Sequence, residues 1–165
     1  MITPEYKYKE ASLLDLELRW DKNISDNAGD DCWVAWKAVA IKENKNNILK
    51  TFVVLYGEQP IGEGTLIFSS NTGAINGRLE LANHITTVNI NGLRIDKPHE
   101  GKGHISKLVK VMEQYAKDKG YKLATIGVEA KETRNLGIYL HWGYDTFITH
   151  EIENSELVLY YSKRL

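Results

Sequence analysis

The stretch that decides the fold is residues 93–108, LRIDKPHEGKGHISKL. The pattern predicts the end of a strand, a turn that contains Gly101 and Gly103, and the start of a strongly amphipathic helix. Amides in a first helical turn have no intrahelical acceptor, and the helix dipole adds positive potential, so this turn is typical of an anion site. Lysines at positions 102, 107 and 110 add positive charge nearby. An ordinary glycine-containing turn without a ligand is an equally open interpretation of the pattern alone.

Other phosphate-binding motifs do not match this turn. A Walker A loop needs Gly-X4-Gly-Lys-Ser/Thr, and a dinucleotide fingerprint needs a third glycine where this chain has Ser106. Ser106 is also not part of the Gly-X-Ser-X-Gly elbow of serine hydrolases. The turn therefore supports none of these three classes.

Working outward, hydrophobic periodicity predicts the order β-α-α-β-β-β-α-β-α-β-β. One strand–helix–strand unit sits at its centre and the other strands are expected to be antiparallel. We therefore expect an α/β fold in which a mixed, mostly antiparallel sheet is flanked by helices, as a single domain over residues 1–165. The apolar faces predicted for the helices are Leu13, Leu16 and Trp20 in the first, Trp33, Trp36, Val39 and Ala40 in the second, and Ile105, Leu108, Val109, Met112 and Ala116 in the third.

Composition narrows the class of partner. The net charge of −1 gives no reason to expect nucleic acid or an anionic membrane, and no apolar run is long enough to span a bilayer. Cys32 is the single cysteine, so neither a disulfide framework nor a cysteine-based metal cluster is expected, and we predict no metal. With no signal-peptide pattern at its start, the chain is expected in the cytoplasm.

Two motifs resemble those of the GNAT superfamily of N-acetyltransferases. Residues 93–108 resemble its acetyl-CoA motif, Arg/Gln-X-X-Gly-X-Gly/Ala, and residues 135–144, NLGIYLHWGY, resemble its Tyr-X-X-X-Gly-Phe/Tyr ending. The hairpin over residues 57–64 resembles the second and third strands of that fold. The likeness extends over nearly the whole chain, and two motifs in the right order are more specific than either alone. The sequence departs from the family pattern at Glu100, in place of Arg or Gln, and at Ile105, in place of Gly or Ala.

The resemblance implies that acetyl-CoA is the co-substrate. The backbone of residues 93–95 would meet the pantetheine arm, and residues 101–106 would cradle the diphosphate. The expected cofactor-binding residues are Leu93, Arg94, Ile95, Gly101, Lys102, Gly103, His104, Ile105, Ser106 and Asn135.

The resemblance also implies an activity, transfer of the acetyl group of acetyl-CoA to a primary amine of a small molecule or peptide by direct attack. Tyr139 stands where the family often has the general acid for the leaving thiolate. Glu63 is our leading candidate for the general base, followed by His84 and Glu80, while Asn89 cannot accept a proton and a water relay is the alternative. The rival class is a catalytically silent CoA-binding or interaction module on the same fold.

The first two predicted helices shape the acceptor pocket in this family. Here they carry three tryptophans and nearby aspartates, and aromatic faces with carboxylates suit a cationic acceptor such as a polyamine, an aminoglycoside or a basic peptide terminus. Packing in the core is the commoner use of tryptophan. A homodimer formed through the last strands is a common arrangement in the family. The residues concerned are Trp20, Trp33, Trp36, Asp26, Asp30 and Asp31.

Overall fold

The computed structural model describes residues 2–165 and confirms the α/β class, with seven strands in a mixed sheet of order β1-β2-β3-β4-β5-β7-β6. The order of elements along the chain is the predicted one. Their bounds are β1 Tyr6–Glu10, α1 Leu13–Asp26, α2 Cys32–Lys45, β2 Leu49–Tyr56, β3 Gln59–Ile67, β4 Thr87–Ile95, α3 His104–Asp118, β5 Leu123–Glu129, α4 Thr133–His141, β6 Thr146–Glu153 and β7 Glu156–Arg164. A short 3-10 helix, Lys97–His99, lies between β4 and α3.

The chain divides into two compact units, the first up to Leu66 with Gly92–Met112, and the second Ile67–Asn91 with Glu113–Leu165. Residues of β4 and of α3 contribute to both units. The single domain expected over residues 1–165 stays a prediction. No helix within residues 2–165 is long and apolar enough to cross a membrane.

In the first unit, β1 pairs with β2 in antiparallel register from Tyr6↔Tyr56 to Glu10↔Phe52. Strand β3 lies close to the end of β4, because a Cβ added at Gly62 would stand 2.9 Å from the Arg94 carbonyl oxygen. The fully buried side chains of this unit are apolar, because a polar side chain is rarely buried without a partner. They include Phe52, Val53, Val54, Leu66, Leu108, Val109 and Met112.

The predicted faces of α1 and α2 are partly wrong. Helix α1 begins at a capping box between Ser12 and Asp15, but it buries Arg19 and Asn23 beside Leu16, whereas Leu13 is 48% exposed. Helix α2 buries none of its residues, and Trp36 and Val39 remain half exposed. Arg19 is buried because it forms ion pairs with Glu63 and Asp96. The stripe predicted for α3 is confirmed, since all of its members except the half-buried Ile105 are buried.

In the second unit, the first part of β4 pairs in parallel with β5 from Thr87↔Leu123 to Ile90↔Ile126. Strand β7 pairs antiparallel with both β5 and β6, and the hairpin turn between β6 and β7 uses positive φ at Asn154 and Ser155. The core here includes Leu81, Val88, Ile90, Ala124, Ile126 and Tyr144. The Tyr144 hydroxyl donates to Glu113 at 2.9 Å, which satisfies its polar end.

Candidate functional site

The turn between β4 and α3 has the backbone conformation that its glycines predict. Gly101 and Gly103 have φ of +72° and +79°, in the left-handed region that other residues rarely adopt. A Cβ added at either position would meet nothing within 4 Å. Backbone conformation, rather than crowding, therefore requires glycine here, and the space beside the turn is open.

The start of α3 presents amides that lie ahead of its hydrogen-bond ladder. The Lys107 N–H donates to the Gly103 carbonyl at 3.1 Å, so residues 104–106 precede this bond and their N–H groups are free by helical geometry. Lys102 and Lys107 are exposed beside the turn, and so is the carboxylate of Glu100. This donor set fits a diphosphate, because the N–H groups, the helix dipole and the lysines all favour an anion.

The pairing between β4 and β5 ends before β4 itself does, close to Gly92. Gly92 has φ of +63°, and the ladder with β5 has its last pair at Ile90↔Ile126, although β4 continues to Ile95. Leu93 and Ile95 are half buried, whereas Arg94 is exposed. Backbone groups in this part of β4 are those expected to meet the pantetheine arm.

A buried cluster of charged and amide side chains lies where α1, β3 and the end of β4 meet, and we call it the charged cluster. Glu63 is its centre: one carboxylate oxygen accepts from Arg19 Nε, and the other accepts from Arg94 Nη1 at 2.7 Å and from Asn23 Nδ2 at 3.1 Å. Arg19 Nη1 also donates to Asp96 at 2.7 Å. The side chains of Arg19 and Glu63 are 4% and 7% exposed. Burial acts to lower the pKa of Arg19, but the two carboxylates outweigh it and the pKa is raised.

These contacts bear on the role predicted for Glu63. Three donors occupy its two oxygens, so the geometry favours holding the end of β4 over taking a proton from a substrate. Its assignment as general base stays a prediction. The other base candidates lie in the second unit, where His84 and Glu80 are exposed in the segment before β4. Asn89 is buried there and donates to Thr125 Oγ1 at 2.9 Å.

The tryptophans of α1 and α2 form a contiguous aromatic group in the first unit. The Trp33 ring lies 6.2 Å from Trp20 and 5.2 Å from Trp36 between centroids. Arg94 Cζ lies 5.2 Å from the Trp33 ring centroid, so a cation of the protein already contacts that ring. Trp36 is 49% exposed, so the group is not simply core. Asp26 already pairs with Lys22 at 2.6 Å.

A second cluster, the ring cluster, lies at the other end of the 94–104 segment. It consists of Tyr6 and Tyr8 of β1, Tyr56 of β2, and the two histidines that flank the glycine turn, His99 and His104. The Tyr6 hydroxyl lies 3.0 Å from His99 Nδ1, and the Tyr8 hydroxyl lies 2.7 Å from His104 Nδ1. No sequence pattern described above predicted this cluster. In the sequence, the cluster is visible only as two tyrosines at strand spacing and two histidines on either side of the glycine turn.

The expected general acid, Tyr139, lies on α4 in the second unit. Its ring packs near Trp142 at 5.5 Å, and burial raises the pKa of its phenol. The hydroxyl is therefore protonated at neutral pH, as a proton donor must be. Asn135 is exposed in the first turn of α4, and Glu132 occupies the N-cap position with no side-chain hydrogen bond.

No three His, Cys, Asp or Glu side chains among residues 2–165 are grouped so that they could hold a metal ion.

The chain belongs to the acetyltransferase (GNAT) family, whose model matches residues 9–144. The resemblance given above is thereby confirmed. A search of curated proteins returned no match.

Solved structures of the same fold cover nearly all of the chain. An N-acetyltransferase from Staphylococcus aureus Mu50 is 15% identical, with a TM-score of 0.66, over 97% of this chain and 98% of that one. A GNAT family acetyltransferase from Elizabethkingia anophelis, solved with acetyl-CoA bound, is 16% identical with a TM-score of 0.61 over 97% and 98%. NAA60 from Arabidopsis thaliana, in complex with acetyl-CoA, is 12% identical with a TM-score of 0.71 over 98% and 99%. At these identities the likeness shows the shared fold.

Proposed function

We propose that this protein transfers the acetyl group of acetyl-CoA to a primary amine of a small molecule or peptide by direct attack of the amine on the thioester. The observation that carries the proposal is the turn over residues 100–106, where two left-handed glycines open onto the free amides of α3. Family membership supports the reaction class.

In this proposal, two backbone segments of the chain would share the binding of acetyl-CoA. Amides of residues 101–106, with the side chain of Lys102, would hold the diphosphate, and backbone groups of Leu93, Arg94 and Ile95 would hold the pantetheine arm. Asn135, exposed at the start of α4, is the further residue expected to contact the cofactor. When bound, acetyl-CoA supplies the thioester carbonyl that the amine attacks.

Proton transfer limits the chemistry at both ends of the reaction. An alkylamine has a pKa of about 10 and must lose a proton before attack, to Glu63 if it serves as base or to a water relay. The departing thiolate needs a proton, which the Tyr139 hydroxyl would donate. A thiol has a pKa of about 8.5 and a phenol about 10, and burial raises the phenol further, so this transfer is uphill and depends on the site stabilising the phenolate.

We further propose that the acceptor carries positive charge. The half-exposed Trp36 of α2 supports this preference, as do three exposed aspartates at the end of α1 and just before α2, Asp26, Asp30 and Asp31. Trp33 supports it less, since Arg94 already contacts its ring and would repel a second cation. A carboxylate-bearing amine should therefore be included in any acceptor panel as the opposing case.

Calorimetry with acetyl-CoA, followed by thiol release on a panel of amines, tests the proposal. We expect saturable binding and release of one thiol for each amine acetylated. No affinity for acetyl-CoA or CoA would refute the proposal, and binding without turnover on any amine would favour the silent module.

Tyr139→Phe tests the general acid. We expect kcat to fall by about 10²- to 10⁴-fold, because a general acid contributes on that scale, while acetyl-CoA affinity is retained. Tyr161→Phe is the matched control, since Tyr161 lies on β7 and packs against Phe147 outside the expected site. An unchanged kcat in Tyr139→Phe would remove Tyr139 from the mechanism.

A further inference from the structure

The glycine turn is flanked by two histidines, and each is bonded to a tyrosine of the same strand. His99 precedes the turn and lies 3.0 Å from the Tyr6 hydroxyl, while His104 follows it and lies 2.7 Å from the Tyr8 hydroxyl. Tyr6 and Tyr8 are two residues apart on β1, so their side chains leave the same face of the strand. One strand therefore holds both ends of the turn.

The tyrosines themselves are fixed by the sheet and by ring packing. Strand β1 pairs with β2 over its whole length, and Tyr6 lies directly opposite Tyr56, with ring centroids 4.8 Å apart. The Tyr6 ring also packs against His104, with ring centroids 4.1 Å apart. The hydroxyls thus project from rings that have little freedom to move.

His104 depends on its tyrosine because it is deeply buried. Its residue exposure is 6%, and among residues 2–165 its Nε2 has no hydrogen-bond partner. Removing the Tyr8 hydroxyl would leave both ring nitrogens unpaired, which favours rotation of the ring or entry of water. Either change would move the first residue of α3, and with it the amides of the turn.

A turn that contains two glycines has little stiffness of its own, since glycine samples more backbone conformations than any other residue. An anion gains from these amides only if they already point in the right directions, because ordering them on binding lowers the affinity. We propose that Tyr6 and Tyr8 are positioning residues, which hold the turn between His99 and His104 in the conformation that binds the diphosphate of acetyl-CoA. The identity of the ligand rests on the proposed function, whereas the anchoring of the turn by Tyr6 and Tyr8 does not depend on it.

The test uses Tyr8→Phe, Tyr6→Phe and the double variant, each of which keeps the ring and removes a hydroxyl. We expect the Kd and the KM for acetyl-CoA to rise by about 2- to 10-fold in each single variant, the range that the net contribution of one hydrogen bond corresponds to, and further in the double variant. The kcat at saturating acetyl-CoA should stay unchanged, a split that general destabilisation would not produce.

Tyr56→Phe is the matched control. Tyr56 belongs to the same ring cluster, but its contacts in residues 2–165 are made by its ring and its hydroxyl bonds to no group there. This variant should bind acetyl-CoA as the wild type does. The proposal would be overturned if the two single variants and the double variant all bound acetyl-CoA as tightly as the wild type does.

Hydrogen exchange of the backbone amides separates this proposal from the proposed function. Amides of residues 100–106 should exchange faster in the Tyr6/Tyr8 double variant than in the wild type or Tyr56→Phe, with no cofactor present. Unchanged exchange would overturn the anchoring even if acetyl-CoA binds, and faster exchange in a protein that fails to bind acetyl-CoA would refute only the proposed function.

Discussion

The charged cluster and the ring cluster hold the two ends of one segment, residues 94–104, by different chemistry. The charged cluster joins α1 and β3 to Arg94 and Asp96 through ion pairs, of which the pair between Arg19 and Glu63 is buried on both sides. The ring cluster joins β1 to His99 and His104 through hydroxyl–imidazole contacts and stacked rings. A buried charge depends on its partner, because an unpaired charge is costly to bury, whereas neutral rings retain most of their packing when one polar contact is lost. We therefore expect the charged cluster to be sensitive to loss of a partner and the ring cluster to be sensitive to pH.

The largest expected effect is at the centre of the charged cluster. Glu63→Ala leaves Arg19 buried without one of its two carboxylates, and breaking a buried ion pair costs about 3–5 kcal/mol of unfolding free energy. Urea denaturation followed by circular dichroism measures this loss. Glu58→Ala, at an exposed position of the β2–β3 turn, is the matched control and should change stability by less than about 0.5 kcal/mol.

A loss below about 1 kcal/mol in Glu63→Ala would mean that the charged cluster is no more than a surface-like ion pair. Glu63→Gln adds a test of the base assignment, because it keeps the shape and one acceptor oxygen of the side chain. A large fall in kcat with near-normal stability would favour the base; a loss of stability with normal kcat would favour the anchor.

The second effect is acid sensitivity of the ring cluster. Burial, followed by the charges of Lys107, His99 and Lys102, lowers the pKa of His104 below its usual 6.5. The unfolded chain therefore binds a proton more readily than the folded chain, and stability should fall as pH falls below about 6.5. The slope from this group is at most about 1.4 kcal/mol per pH unit.

Urea denaturation at several pH values between 5 and 8, for the wild type and His104→Gln, isolates this slope. His150→Gln, at an exposed position of β6, is the control for a histidine outside the cluster. Equal pH slopes in the wild type and His104→Gln would contradict the assignment.

The smallest effect is expected at the rim of the charged cluster. The side chain of Arg94 is 42% exposed, so its pair with Glu63 is screened by solvent, and Arg94→Met should cost about 1 kcal/mol or less. The same variant removes the Arg94 guanidinium that lies over the Trp33 ring. If the acceptor is cationic, its KM should fall in Arg94→Met, and a rise would indicate that Arg94 recognises an acceptor anion instead.

Elements whose burial is apolar could be predicted from the sequence, and elements whose burial is polar could not. Helix α3 was predicted because its apolar stripe is visible in neighbouring residues. Helix α1 was placed correctly but its buried face only in part, because periodicity treats Arg19 as a surface residue. The partners of Arg19, Glu63 and Asp96, lie 44 and 77 residues further along the chain, so the sequence around Arg19 does not indicate that it is buried.

The candidate site shows the same division. The glycine turn was predicted because a left-handed backbone requires glycine locally. The tyrosine–histidine contacts were missed because their partners are 93 and 96 residues apart in sequence. Glu63 was predicted as a site residue, but its three donors come from α1 and β4, and only the fold brings them together.

The open space beside Gly101 and Gly103 has a consequence for which substitutions these positions tolerate. Since a Cβ there would touch no protein atom within 4 Å, the barrier to replacement that the protein itself imposes is torsional. Asparagine visits left-handed backbone more readily than alanine or a branched residue, so it is the replacement by which the turn would retain its shape at least cost. Natural variation and directed evolution at these two positions should pass through asparagine before any other side chain.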